Sequence, residues 1–177
     1  MPAFSIQKTL VVFAASALVT LLPASARSVI SLDSDWAFFQ GDALGAEQAG
    51  LDTSAWRKVD VPHDWSIEGK FDKNAPTTGA GGWLPSGVAW YRKSITLPAD
   101  SKGQRVWVEF DGVMANSDVW INGHLLGHRP NGYVSFRYDV TEHLKPDDAN
   151  LLVVRTDTLK QPASRWYSGA GIYRHVR

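Results

Sequence analysis

Residues 106–128 read VWVEFDGVMANSDVWINGHLLGH, and the alternation within them decides the fold. Val106, Val108 and Phe110 alternate with Trp107, Glu109 and Asp111. Val119 and Ile121 alternate with Asp118, Trp120 and Asn122 in the same way. A two-residue period places one set of side chains on each face of a half-buried strand. Asn122-Gly123 then supplies the two residues that best tolerate positive φ in a tight hairpin turn, and Leu125-Leu126 opens the returning strand. Phe110-Asp111-Gly112-Val113 reads as a strand ending in a turn, with Asp111 accepting local backbone hydrogen bonds and Gly112 taking a conformation costly for other residues.

Further strands are expected at Val29–Phe39, Gly87–Leu97, Tyr133–Tyr138, Asn150–Thr156 and Ile172–Val176. Pro98 to Gly103, Pro130-Asn131-Gly132 and Pro146 to Asn150 supply the turn residues between them. Thr141 is placed to cap one helical turn through its hydroxyl. No amphipathic helix of useful length follows residue 26, which argues against Rossmann and barrel units and for two packed sheets. Periodicity does not separate immunoglobulin-like from jelly-roll topology.

One segment breaks the pattern. Pro62 to Val88 is polar, rich in glycine and proline, and interrupted by Trp65, Phe71 and Trp83. Long connections without regular structure are often functional. Two readings stand side by side: a surface loop pinned by its aromatics, or a loop reaching into a partner domain or substrate cleft.

At the amino terminus, Lys8 precedes an apolar run from Thr9 to Leu22, followed by Pro23 and Ala24-Ser25-Ala26. This pattern fits a secretory signal cut after Ala26, and the run is short of the roughly 20 apolar residues of a membrane span. An uncleaved anchor and a buried helix are the alternatives. The expected organisation is residues 1–26 as signal peptide and 27–177 as one sandwich domain that ends before its last pairing is complete. The chain has no cysteine, and a domain of this size builds a core without disulfides. Its 18 basic residues balance 18 acidic ones, which gives no electrostatic reason to expect nucleic acid or an anionic membrane as partner.

The chain resembles the amino-terminal sugar-binding domain of glycoside hydrolase family 2, in its beta-galactosidase branch. The resemblance rests on VPHDWSIEGKF at 61–71, GVAWYRKSITLP at 87–98, the 106–128 stretch, NGYVSFRYDVT at 131–141, NLLVVRTD at 150–157 and SRWYSGAGIYRHV at 164–176. It implies an all-β, jelly-roll-like sandwich of galactose-binding type. It also implies one domain of an enzyme, exported to the periplasm or secreted, that cleaves terminal beta-galactosides with retention. Such hydrolysis uses two carboxyl groups about 5–5.5 Å apart, which the family carries on a barrel domain. No residue here matches them, so the implied partners are that barrel and a beta-galactoside or related oligosaccharide, and this portion alone is expected to be inactive. Asp64 and Glu68 share the long loop, but spacing in irregular structure does not make them an acid/base pair.

Arg165 and Trp166 are the candidates for the substrate rim or for an interdomain clamp. A guanidinium offers five fixed donors, and an indole covers the apolar side of a pyranose. Trp90, Trp107 and Trp120 lie in strand patterns and are expected to pack at sheet surfaces. Ser164 stands where a bacterial family member has a sodium-binding aspartate, and Leu84 where it has a substrate-contacting asparagine. No cofactor is therefore expected within this portion, and a sodium or magnesium ion in the complete enzyme finds no support in these residues. His63, His124, His128, His143 and His175 show no zinc spacing. The alternatives are a freestanding carbohydrate-binding module, a beta-glucuronidase or beta-mannosidase domain, and the remnant of a disrupted gene.

Overall fold

A computed structural model describes residues 27–145, 147–160 and 166–177. Its strands are β1 (Trp36–Gln40), β2 (Arg57–Val59), β3 (Val88–Ile95), β4 (Trp107–Phe110), β5 (Ser117–Ile121), β6 (His124–Arg129), β7 (Phe136–Asp139) and β8 (Asn150–Asp157). Every pairing is antiparallel. One layer is a six-stranded sheet in the order β2-β1-β3-β8-β5-β6, and the other pairs β4 with β7. The fold is the all-β, jelly-roll-like sandwich, with three short 3₁₀ turns and no α-helix among the described residues.

Alternation sorts the side chains as the sequence dictates. Phe38, Ala89, Tyr91, Val119, Ile121, Leu152 and Val154 project from the large sheet into a core shared with Val108, Phe110 and Phe136 of the small one. The opposite face of the large sheet has a second apolar layer, where Trp90 stacks on Trp120 with ring centroids 5.5 Å apart. The indole N–H of Trp90 donates to Asp42 at 3.3 Å. Trp107 instead lies on the outer face of the small sheet, with the Arg105 and Arg137 guanidinium groups 5.5 and 4.6 Å from its ring centre.

The hairpin turn has φ of 51° at Asn122 and 83° at Gly123. The Asn122 amide donates to the His143 carbonyl and to Asn150 Oδ1, and its oxygen accepts from the Leu151 N–H. Asn122 therefore joins β8 and the 3₁₀ turn at Thr141–His143 to the hairpin that it closes.

Several boundaries differ from expectation. The first strand begins at Trp36 and the seventh at Phe136. The edge strand β2 was not expected at all, because three residues carry too little periodicity to register. Residues 171–177 form a paired tail, with isolated bridges Met114–Gly171 and Phe110–Val176 and reciprocal backbone bonds between Glu109 and Arg177. Asp111 receives the Arg177 guanidinium through both carboxylate oxygens, at 2.7–3.0 Å. Gly112 is needed for space, since a Cβ there would lie 2.8 Å from the Tyr173 hydroxyl. Thr141 caps nothing: its own N–H is bonded by Asp139 Oδ1 at 3.1 Å. The Pro146 end of its turn lies outside the described residues.

The tail is threaded closely past the core at Gly171. Its φ is +109°, and a Cβ there would sit 2.2 Å from the Tyr91 hydroxyl and 2.8 Å from the His63 carbonyl. Gly171→Ala is expected to cost at least about 3 kcal/mol, combining backbone strain and overpacking. Gly50→Ala, where nothing lies within 4 Å, is expected to stay within about 0.5 kcal/mol of the parent. Chemical denaturation of both variants measures the difference.

Candidate functional site

The PHDW and WYSGAGIYR stretches, about a hundred residues apart, meet at one end of the sandwich. The His63 N–H donates to the Ile172 carbonyl at 2.7 Å and the Trp65 N–H to the Ala170 carbonyl at 3.1 Å. Extended pairing sends alternate side chains to opposite sides. His63 and Trp65 are buried, while Asp64 turns toward the partner segment. Asp64 Oδ1 accepts from the Ala170 N–H at 2.9 Å and the Ser66 N–H at 3.1 Å. Its Oδ2 accepts from the Tyr167 hydroxyl at 2.5 Å. Gly169, at φ +80°, allows this approach, because a Cβ would lie 2.9 Å from Asp64 Oδ2. Burial, then the bond to Asp64 and its charge, push the Tyr167 hydroxyl well above its ordinary value. Tyr167 is therefore a fixed, protonated donor.

Behind this clip lies a second polar group. His63 Nδ1 is 2.8 Å from the Tyr91 hydroxyl. Its Nε2 lies 3.0 Å from Arg57 and 3.2 Å from Glu68 Oε1, and Arg57 also bonds Glu68. Burial lowers the His63 pKa, and Arg57 adds to this; together they outweigh Glu68, which raises it. Glu68 is itself held below the usual range because Arg57 and His63 together overcome the effect of burial. His63 is thus neutral, and Glu68 is an anion paired with Arg57.

The aromatics of the long loop differ in burial. Trp65 is 2 % exposed and pins the loop, whereas Phe71 is 78 % exposed and Trp83 half-exposed. Ser66 Oγ donates to the Pro85 carbonyl at 2.6 Å and Thr77 Oγ1 to the Leu84 carbonyl at 2.6 Å. These bonds hold the Pro85-Ser86 turn beside Tyr167. A cleft bounded by Ser66, Pro85, Ser86, Trp166 and Tyr167 lies between the segments, with about 10 Å³ of room, roughly one water molecule.

Trp166 stands at this cleft with 66 % of its surface exposed. Arg165 and Ser164 lie outside the described residues. Leu84 is buried and presents no polar group to a ligand. The anchoring residues Asp64, Tyr167, Tyr91 and Arg57 were missed as such. The available signal was an aspartate between two residues, His63 and Trp65, destined for the interior.

The histidines take separate positions. His124 stacks on His143 with centroids 3.7 Å apart, His128 bonds Asp118, and His175 bonds Asp33. Among the described residues, no three His, Cys, Asp or Glu side chains gather as a metal-binding group.

Asp64→Ala removes three acceptor contacts at once and is expected to lower unfolding free energy by about 2–4 kcal/mol. Denaturant titration checks this, with Asp64→Asn retaining part of the loss. His63 generates a pH dependence. Its folded pKa lies below the unfolded value near 6.5, so the unfolded state binds the proton more readily. Stability present above that pH is expected to fall as pH drops below it. Thermal melts from about pH 7.5 to about 5.5 should decline more steeply in the parent than in His63→Gln, and parallel declines would remove His63 as the cause.

Comparison with known proteins places this geometry in a family. A family model described as "Glycosyl hydrolase 2 galactose-binding domain-like" matches residues 70–168, more than half of the chain. Beta-galactosidase BoGH2A of Bacteroides ovatus is 51 % identical over 152 residues, covering 86 % of this chain and 18 % of that protein. A putative beta-glucuronidase of Formosa agariphila is 40 % identical over 147 residues, covering 83 % and 14 % respectively. The crystal structure of a beta-glycosidase from Bacteroides vulgatus superposes with a TM-score of 0.80 at 46 % identity, over 83 % of this chain and 19 % of that one. The chain spans less than a fifth of the length of these relatives. It belongs to glycoside hydrolase family 2, as a member of that family's galactose-binding-like amino-terminal domain.

Proposed function

We propose that this chain is the amino-terminal part of an exported retaining glycosidase acting on terminal beta-galactosides, and that its role is to buttress a catalytic barrel and shape the substrate rim. The observation that carries this reading is the Asp64 clip, which holds the exposed Trp166 beside the Pro85-Ser86 turn. Trp166 supplies an apolar face for a sugar ring, and the neighbouring Arg165 supplies donors to its hydroxyls or to the barrel. The beta-galactosidase relative at 51 % identity supports galactose as the sugar. The beta-glucuronidase relatives make a glucuronide the competing substrate.

The chain's own carboxylates do not supply the chemistry. A glycosidic general acid must hold a proton near neutral pH, which requires a raised pKa. Glu68 is held in the opposite direction by Arg57 and His63, and Asp64 is engaged by Tyr167 and two backbone N–H groups. The paired carboxylates therefore come from the barrel.

Export follows from residues 1–26 acting as a cleaved signal. No helix among the described residues is long and apolar enough to cross a membrane. Terminal sequencing of the exported protein should begin at Arg27.

The test is expression of the complete open reading frame containing this chain. It should hydrolyse 4-nitrophenyl beta-galactoside in preference to the beta-glucuronide, and residues 27–177 alone should hydrolyse neither. Trp166→Ala in the complete enzyme is expected to lower kcat/KM roughly tenfold, equivalent to about 1.4 kcal/mol. Preference for the glucuronide would transfer the reading to that substrate, and turnover by 27–177 alone would overturn the division of labour.

A further inference from the structure

The cleft at Trp166, with about 10 Å³ of room, is too small to seat a pyranose within the described residues. A larger space adjoins it. Thr158 and Ser168 line both this cleft and a groove of about 280 Å³ running between Met114-Ala115-Asn116 and Asn131-Gly132-Tyr133. The groove is many times roomier than the cleft, enough for one pyranose ring.

The groove has the makings of a built surface. Its 131–133 wall is held from behind: the Tyr173 hydroxyl donates to the Gly132 carbonyl at 2.9 Å. The Tyr133 N–H donates to Asn131 Oδ1 at 2.8 Å, closing a local turn. Met114 fills the space beneath Gly132, where a Cβ would lie 2.5 Å from its sulfur. Asn116, at φ +43°, is tied by its N–H to the Pro130 carbonyl and by its amide to the Asp157 carbonyl. A wall fixed in this way loses little entropy on binding.

On this preorganised wall, Tyr133 is 60 % exposed. Its hydroxyl, the Asn131 amide nitrogen and the Lys160 ammonium have no protein partner among the described residues. An aromatic face with a few unspent donors around a mostly apolar groove matches the two-sided chemistry of a pyranose, which has C–H faces and a hydroxyl rim.

We propose that this groove binds a second pyranose ring of an oligosaccharide chain, with Tyr133 as its stacking face and Asn131 and Lys160 as hydrogen-bond donors. The proposal rests on the sugar-rim reading above and deepens it: recognition extends beyond the terminal residue and selects oligosaccharides over simple glycosides.

The chain itself provides the test. Its binding is measured by saturation-transfer NMR and titration with β-1,4-galactotriose, cellotriose and free galactose. At least one trisaccharide should bind, and galactose should bind at least about tenfold more weakly. Tyr133→Ala should weaken trisaccharide binding about tenfold, Asn131→Ala should also weaken it, and Tyr133→Phe should retain it. Because Tyr133 is exposed, its variants should melt with the parent.

No trisaccharide binding by the parent, or binding unchanged in both Tyr133→Ala and Asn131→Ala, would overturn the proposal. So would variants that leave binding intact and lower only the melting temperature of the complete enzyme, since the groove would then seat another part of the polypeptide. Absence of hydrolysis by the complete protein, with the variant-sensitive trisaccharide binding preserved, would instead sink the galactosidase reading and leave the groove standing.

Discussion

One carboxylate closes this end of the sandwich. Asp64 binds the Tyr167 hydroxyl, the Ala170 N–H and the Ser66 N–H, joining parts of the chain more than a hundred residues apart. Hydrogen bonds to an ionised acceptor are about twice as strong as neutral ones, and three on one group fix its position and its partners together. They act beside the backbone pairing of Trp65 with Ala170. The rim is therefore positioned by electrostatics at its edge and by packing beneath it.

The packing beneath depends on the same few residues. Tyr91, central in β3, touches Phe38 and Trp36 in the core and reaches His63 with its hydroxyl. His63 in turn meets Arg57 of the edge strand and Glu68 of the loop. A buried polar group costs free energy unless it is satisfied, so the Tyr91–His63–Glu68–Arg57 chain keeps a tyrosine hydroxyl and an imidazole compatible with an apolar interior. His63 and Asp64 are adjacent in sequence and point oppositely, which lets one tripeptide fasten both the core and the rim.

Legibility followed the range over which residues inform each other. The 106–128 alternation and Asn122-Gly123 identified a hairpin because strand period and turn chemistry are local. Trp90 was legible as a residue packing at a sheet surface, and it stacks on Trp120. The edge strand Arg57–Val59 was not, because it owes its conformation to pairing with β1. Asp111 illustrates the same limit: turn chemistry suggested local partners, yet Arg177, 66 residues away, reaches it first. Trp166 was legible as an aromatic in a loop between strands. Its anchor was not, since nothing in PHDW announces that the aspartate faces a tyrosine over a hundred positions later.

The distribution of charge gives several carboxylates of this domain a structural role. Asp33 is held below its ordinary value by the Val176 N–H and His175, against the effect of burial, and ties the tail to the segment before β1. Asp111 holds Arg177, and Glu68 holds Arg57. At Asp33 and Glu68 these contacts favour the ionised carboxylate and disfavour the protonated form that a glycosidic acid must keep in reserve. Trp166 and Tyr133 are the exposed aromatics near this end of the sandwich, at the cleft and the groove that adjoins it. The carboxylates beside them are engaged in closing the sandwich: Asp64 on Tyr167 and two backbone N–H groups, and Asp111 on Arg177.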